Sequence, residues 1–120
     1  MTELELDTVA VRVTGPNLSG DAFLGALISA FPESSEGPFP EWRWISPAES
    51  SPGWTGRINV RTFAGNFTLP PVPEEAVVCL AGVKQDVLVV EQTLTSWFHV
   101  SREEIDDDPY EVCLRLRPTG

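Results

Sequence analysis

Histidine, cysteine and basic residues are scarce in this 120-residue chain. His99 is the single histidine, so a Ser-His-Asp triad would depend on it, and no G-x-S-x-G or activated-cysteine pattern accompanies it. The two cysteines match no metal-binding spacing. We therefore expect no catalytic residues, no metal and no cofactor. Eight basic residues stand against 18 acidic ones, a net charge of −10, which opposes nucleic-acid binding because phosphates repel an acidic surface.

Long apolar runs are also absent. No run approaches the ~20 residues needed to cross a bilayer, and the first segment, MTELELDTVAVRV, has carboxylates where a secretion signal has basic residues. We expect a cytoplasmic protein without a membrane association. Cys79 and Cys113 lie in apolar segments, where a cysteine usually behaves as a small buried hydrophobic residue, and a disulfide between them requires neighbouring strands.

The pattern of apolar residues predicts a single α+β domain over residues 1–120. Residues 18–31 carry an apolar stripe at helical spacing, with Ser19 as the N-cap, and this is the one helix that we predict. We expect it to follow the first strand and to pack on one face of a mostly antiparallel β-meander of about five or six strands.

The strands are predicted from alternating and continuous apolar runs. Residues 4–14 alternate, and residues 76–83 are continuously apolar, which is typical of a central strand. Residues 86–100 are rich in β-branched side chains and are predicted to form the longest strand. Residues 110–118 alternate again and should pair with it as a hairpin through an acidic loop at 101–109.

A long Pro/Ser/Glu-rich loop at 32–56 contains Trp42, Trp44 and Trp54. Trp42 and Trp44 share one face of a short extended segment between prolines. One interpretation is that they close an edge of the core, as tryptophans in small domains usually do. The other is an exposed binding anchor, because the prolines stiffen the segment and reduce the entropy lost on binding.

The predicted acidic loop contains five carboxylates, and three interpretations stay open. The residues are Glu103, Glu104, Asp106, Asp107 and Asp108. They form a solvated hairpin loop, a docking site for a basic partner, or ligands of a hard cation. Their spacing lacks the alternating ligands and the glycine of an EF-hand, which makes the cation the weakest of the three.

These features predict a protein-binding function for the chain. The most concrete hypothesis is an inhibitor or immunity-type protein that neutralises a basic toxin or nuclease, with the three tryptophans and the five carboxylates as the partner-binding residues. One alternative is a small-ligand-binding protein or enzyme with a pocket between helix and sheet, and another is a structural or assembly subunit, for example of a phage. The sequence leaves the oligomeric state open.

Overall fold

The computed structural model describes residues 8–14, 20–36, 54–64, 76–107 and 110–117. Trp42, Trp44 and Asp108 lie outside the described residues, and so do most of the predicted 32–56 loop and the start of the predicted first strand. The elements in chain order are β1 (Thr8–Thr14), α1 (Gly20–Ala30), β2 (Ser35–Glu36), β3 (Trp54–Asn59), β4 (Ala76–Gly82), α2 (Lys84–Thr95), β5 (His99–Asp107) and β6 (Tyr110–Arg117).

The described strands form one six-stranded sheet in the order β2-β3-β1-β4-β6-β5. Every pair of neighbours is antiparallel, so the predicted α+β class with an antiparallel sheet and a helix after the first strand is confirmed. The continuously apolar β4 is central, as its sequence predicts. The strand order is more complex than a meander, because β1 lies between β3 and β4.

Among the described elements, a strand–helix–strand–strand unit occurs twice. In the first unit β1 is followed by α1 and the β2–β3 pair, and in the second β4 is followed by α2 and the β5–β6 pair. In each unit the last strand pairs with the first strand, and the third element lies at the edge of the sheet. The two units join through β1 and β4 at the centre. This repeat has no counterpart that is evident in the sequence.

Both helices cover the same face of the sheet and enclose one core. The side chains in that core alternate along the strands, as with Val9, Val11 and Val13 in β1, and they meet Phe23 and Leu27 of α1. Further apolar residues of the described chain are buried, and three are only partly buried. Buried are Leu24, Leu27, Phe31, Ile58, Val90, Leu94, Val112 and Leu114; partly buried are Ile28, Val60 and Leu88.

The predicted strand at 86–100 is wrong, because most of that segment is helix α2. The helix begins at Lys84, and β5 starts only at His99. The buried residues Val87, Val90 and Leu94 recur every three or four positions, which is a helical period. Burial against β4, β5 and β6 therefore overrides the β-propensity of the valines and threonines.

The predicted acidic loop at 101–109 is also wrong, because β5 continues through it to Asp107. β5 and β6 do pair as predicted, from His99 opposite Arg117 to Asp107 opposite Tyr110. The register shifts between Glu104 and Asp106, which marks a β-bulge. In the described part of the chain, neither helix is long and apolar enough to span a bilayer.

Candidate functional site

The acidic residues of β5 form the candidate site, which we call the acidic edge. It consists of Glu103, Glu104, Asp106 and Asp107. β5 is the last strand on its side of the sheet, and no other described strand pairs with its outer side. Glu103, Glu104 and Asp107 are exposed, whereas Asp106 is partly buried. A nine-residue edge strand with an open row of N–H and C=O groups is a surface on which another chain can pair.

Three of these carboxylates lack a neutralising partner among the described residues. Glu103, Asp106 and Asp107 make no ion pair there, although Asp106 Oδ1 accepts a hydrogen bond from the backbone N–H of Asp107 at 2.8 Å. Adjacent like charges on one strand repel each other. A cation or a basic side chain placed against them would relieve that repulsion.

The fourth carboxylate belongs to a polar cluster that fixes β5 in place, which we call the Arg102 cluster. Arg102 donates from Nε to Glu91 Oε2 of α2 at 2.9 Å and from Nη1 to Glu104 Oε1 at 3.0 Å. It also contacts the Tyr110 hydroxyl of β6, and that hydroxyl donates to Glu104 Oε1 at 3.2 Å. Lys84 Nζ lies 5.3 Å from the centre of the Tyr110 ring. The cluster ties the edge strand to α2 and to β6.

Contacts within the Arg102 cluster shift the pKa values of its members. Hydrogen bonds from Arg102 and from Tyr110 lower the pKa of Glu104 below its ordinary value of 4.5. Burial raises the pKa of Tyr110 above 10.0, although Arg102 acts in the opposite direction. Burial tends to lower the pKa of Arg102, but its contacts with Glu104 and Glu91 outweigh this and raise it. These directions favour a cationic Arg102, an anionic Glu104 and a neutral Tyr110 at neutral pH.

The described acidic residues do not assemble into a metal site. No group of three or more His, Cys, Asp or Glu side chains in the described ranges is arranged to hold a metal ion. Successive residues of an extended strand point to opposite faces, which separates the side chain of Glu103 from that of Glu104. His99 is exposed at the start of β5, opposite Arg117.

The structure places one of the three candidate tryptophans. Trp54 begins β3 and pairs in register with Val13, and its partly buried side chain packs against the core. Trp42 and Trp44 fall outside the described residues, so the binding role predicted for the three tryptophans stays a prediction.

The face of the sheet opposite the helices carries a cross-strand disulfide and a cavity. Cys79 of β4 and Cys113 of β6 are directly opposite in register and form a disulfide, with their Cα atoms 4.1 Å apart. The cavity has a volume of about 410 Å³, and both cysteines line it. It lies away from the helices, so it is not the pocket between helix and sheet that one alternative function requires.

Comparison with protein-family models, with curated proteins and with solved structures finds no match to this chain.

Proposed function

We propose that this chain is a small acidic protein-binding module that receives a basic partner along the edge strand β5. Its most concrete role is that of an inhibitor or immunity-type protein that neutralises a basic toxin or nuclease. The observation that carries the proposal is the acidic edge, in which Glu103, Asp106 and Asp107 lack ion-pair partners among the described residues. The net charge of −10 adds long-range attraction for a basic protein.

Strand addition is the binding mode that this surface favours. An extended segment of the partner forms main-chain hydrogen bonds with the outer side of an edge strand, and side chains then determine specificity. Lysine or arginine residues of such a segment would lie beside the carboxylates of β5. Because these carboxylates are at an exposed edge, their charges chiefly accelerate association and select the sign of the partner.

The Arg102 cluster supports this role because it orders the strand before binding. Arg102 joins β5 to Glu91 of α2, whose side chain is only 14% exposed, and to Tyr110, which is 2% exposed. A strand that is already fixed loses little entropy when a partner pairs with it. Within the cluster, Arg102 pairs with Glu104, which leaves Glu103, Asp106 and Asp107 to provide the charge of the acidic edge.

The direct test uses two synthetic peptides of equal length, one alternating lysine with valine and the other alternating glutamate with valine. Hydrogen exchange of isotope-labelled protein is followed by NMR. We expect the lysine peptide to protect amides of β5 and the glutamate peptide to protect none of them. Protection confined to other elements, or equal protection by both peptides, contradicts docking along β5.

A matched pair of charge reversals tests the contribution of the acidic edge. Asp107→Lys alters β5, whereas Glu33→Lys alters an exposed carboxylate just after α1 and changes the net charge by the same amount. We expect Asp107→Lys to slow association with the lysine peptide by about fivefold or more at low salt. The effect should be smaller at physiological salt, where charges are screened beyond ~8 Å. If both variants slowed association equally, the carboxylates of β5 would contribute only through the net charge of the protein.

The same two variants are then applied to a basic protein that the chain retains from a cell extract. An inhibitor role further requires that the chain abolish that protein's toxic or nuclease activity in a stoichiometric titration. Retention without inhibition would leave a binding module but contradict the inhibitor role. The cytoplasmic location is part of the same proposal, and fractionation of the source cells tests it.

A further inference from the structure

We propose that Cys79 and Cys113 form a redox-active site that exchanges with small thiols such as glutathione. The two residues occupy directly opposite positions on β4 and β6, so their sulfur atoms face each other on the side of the sheet away from the helices. With the Cα atoms 4.1 Å apart, the folded sheet holds the sulfurs close in either redox state. The reacting cysteines do not belong to the acidic edge, although Glu103 of that edge also lines the cavity.

The two sulfurs differ in access. Cys79 is 2% exposed, whereas Cys113 is partly exposed. Both line the cavity, which is large enough for a small thiol at about 410 Å³, and Arg12 and Arg115 also line it. Arg102 and Glu103 are in the lining as well, so three cationic side chains face one carboxylate, and this balance favours an anionic thiolate or the carboxylates of a glutathione-like molecule in the cavity. An incoming thiolate therefore reaches the sulfur of Cys113 first.

The leaving sulfur has its own stabilising group. Arg12 Nη2 lies 3.6 Å from Cys79 Sγ, and a neighbouring guanidinium favours the thiolate form of a cysteine. A disulfide opens faster when the departing sulfur is a more stable thiolate. The arrangement thus separates the roles, with Cys113 as the sulfur under attack and Cys79 as the leaving group.

The reaction balances with two small thiols as the reductant. The first thiolate bonds to the sulfur of Cys113, the disulfide bond breaks, and its electron pair stays on Cys79 as a thiolate beside Arg12. A second small thiolate attacks the small-molecule sulfur of this mixed disulfide and releases Cys113 as a thiolate. The products are one small-molecule disulfide and the dithiol form of the protein, and the protons lost by the two small thiols are available to the two protein thiolates. Oxidation by the small-molecule disulfide follows the same steps in reverse.

A site of this kind reconciles a disulfide with the expected cytoplasmic location. Disulfides in reducing compartments are usually transient and catalytic or redox-sensing. Because the pair joins two central strands that are also hydrogen-bonded, the sheet retains its pairing when the disulfide is reduced.

The experiment follows reduction of the folded, full-length protein by glutathione, with alkylation at successive times and mass spectrometry of the peptides. We expect reduction under conditions in which circular dichroism shows a native protein, and a mixed disulfide with glutathione on Cys113 rather than on Cys79. Reduction that occurs only in denaturant, or an adduct that forms first on Cys79, overturns the proposal.

Two arginine variants separate the effect of the cation from that of the fold. We expect Arg12→Gln to slow the reduction by about fivefold or more, with partial recovery in Arg12→Lys. Arg57→Gln is the matched control, since Arg57 lies on the same face of the sheet, opposite Ala10 of β1, and does not line the cavity as described. Equal rates in Arg12→Gln and Arg57→Gln overturn the role of Arg12. If Arg12→Gln fails to fold, the position of the adduct in the unaltered protein decides the proposal.

Discussion

Three valines of α2 provide a stability test that distinguishes a helix from a strand at residues 84–95. In a strand, Val87 and Val89 share one face and Val90 lies on the other. In the structure, Val87 and Val90 are fully buried, whereas Val89 is 38% exposed. The same substitution to alanine at all three positions therefore gives a different pattern for each structure.

The expected magnitudes follow from burial. Removing the two methyl groups of a buried valine costs ~1.6 kcal/mol at ~0.8 kcal/mol per group, and the cavity left behind adds up to ~1 kcal/mol. Alanine recovers ~0.5 kcal/mol through its higher helix propensity. We expect Val87→Ala and Val90→Ala each to lower the free energy of unfolding by ~2 kcal/mol. At Val89 the loss is ~0.5 kcal/mol, because less area is buried there and water occupies the space.

The assay is urea denaturation at 25 °C, followed by far-ultraviolet circular dichroism. An unchanged slope against urea would show that the substitutions alter stability and not the surface exposed on unfolding. The difference of ~1.5 kcal/mol between Val87→Ala and Val89→Ala corresponds to about 6 °C in Tm for a domain of this size. The helix would be refuted if Val87→Ala and Val89→Ala lowered the free energy of unfolding by similar amounts and Val90→Ala lowered it by a different amount.

Two further predictions concern the charged residues of β5. Glu104, whose pKa is lowered in the folded protein, adds stability that is fully present above pH 4.5, its ordinary pKa, and is lost as pH falls through the lower folded-state value. The stability difference between the wild type and Glu104→Gln should therefore shrink in acid, with Glu103→Gln as the control, and a difference that stays constant with pH would contradict this. A chelator should leave Tm unchanged, since the described carboxylates form no metal-binding group; a drop that one added cation restores would identify a metal site instead.

The central part of the fold could be predicted from sequence because its signals agree with one another. In α1, the stripe that contains Phe23 and Leu27 repeats at the helical period, and no β-branched run competes with it. In β4, a short apolar run is bounded by prolines on one side and Gly82 on the other, which suits a strand buried on both faces. For such segments, local propensity and tertiary packing favour the same structure.

The region around α2 and β5 could not be predicted in the same way. The valines and threonines of α2 favour a strand locally, and only the spacing of Val87, Val90 and Leu94 indicates the helix. In the edge strand β5, packing constrains the side chains on one side only. Charged residues therefore replace the usual alternation of apolar and polar residues, and the sequence resembles that of a loop. The Arg102 cluster depends on both corrections, because Glu91 approaches Arg102 only when α2 is helical and β5 is extended.

The run of carboxylates at 103–108 is evident from sequence, but the prediction assigned it to a loop and not to a strand. Charge is read directly from composition, whereas its presentation depends on backbone pairing, and the pairing partner of β5 is ten or more residues away for most of its length. A loop would present its carboxylates in many orientations. A strand fixed by β6 and the Arg102 cluster presents them in a defined row, which changes the expected recognition from charge attraction to strand pairing.

The two edges of the sheet explain why a partner would select β5. Among the described residues, the strand at the opposite edge is β2, which has two residues there, and a short strand offers few groups for pairing. β5 has nine, so it is the longer surface for main-chain hydrogen bonds among the described strands. Its carboxylates and its bulge also oppose pairing with a second copy of the chain, because two acidic edges repel each other. An uncharged segment would form the main-chain hydrogen bonds without relieving the repulsion among the carboxylates of β5. A basic segment would form the hydrogen bonds and also relieve that repulsion. The residues that oppose pairing between two copies are thus the ones that the proposed basic partner would contact.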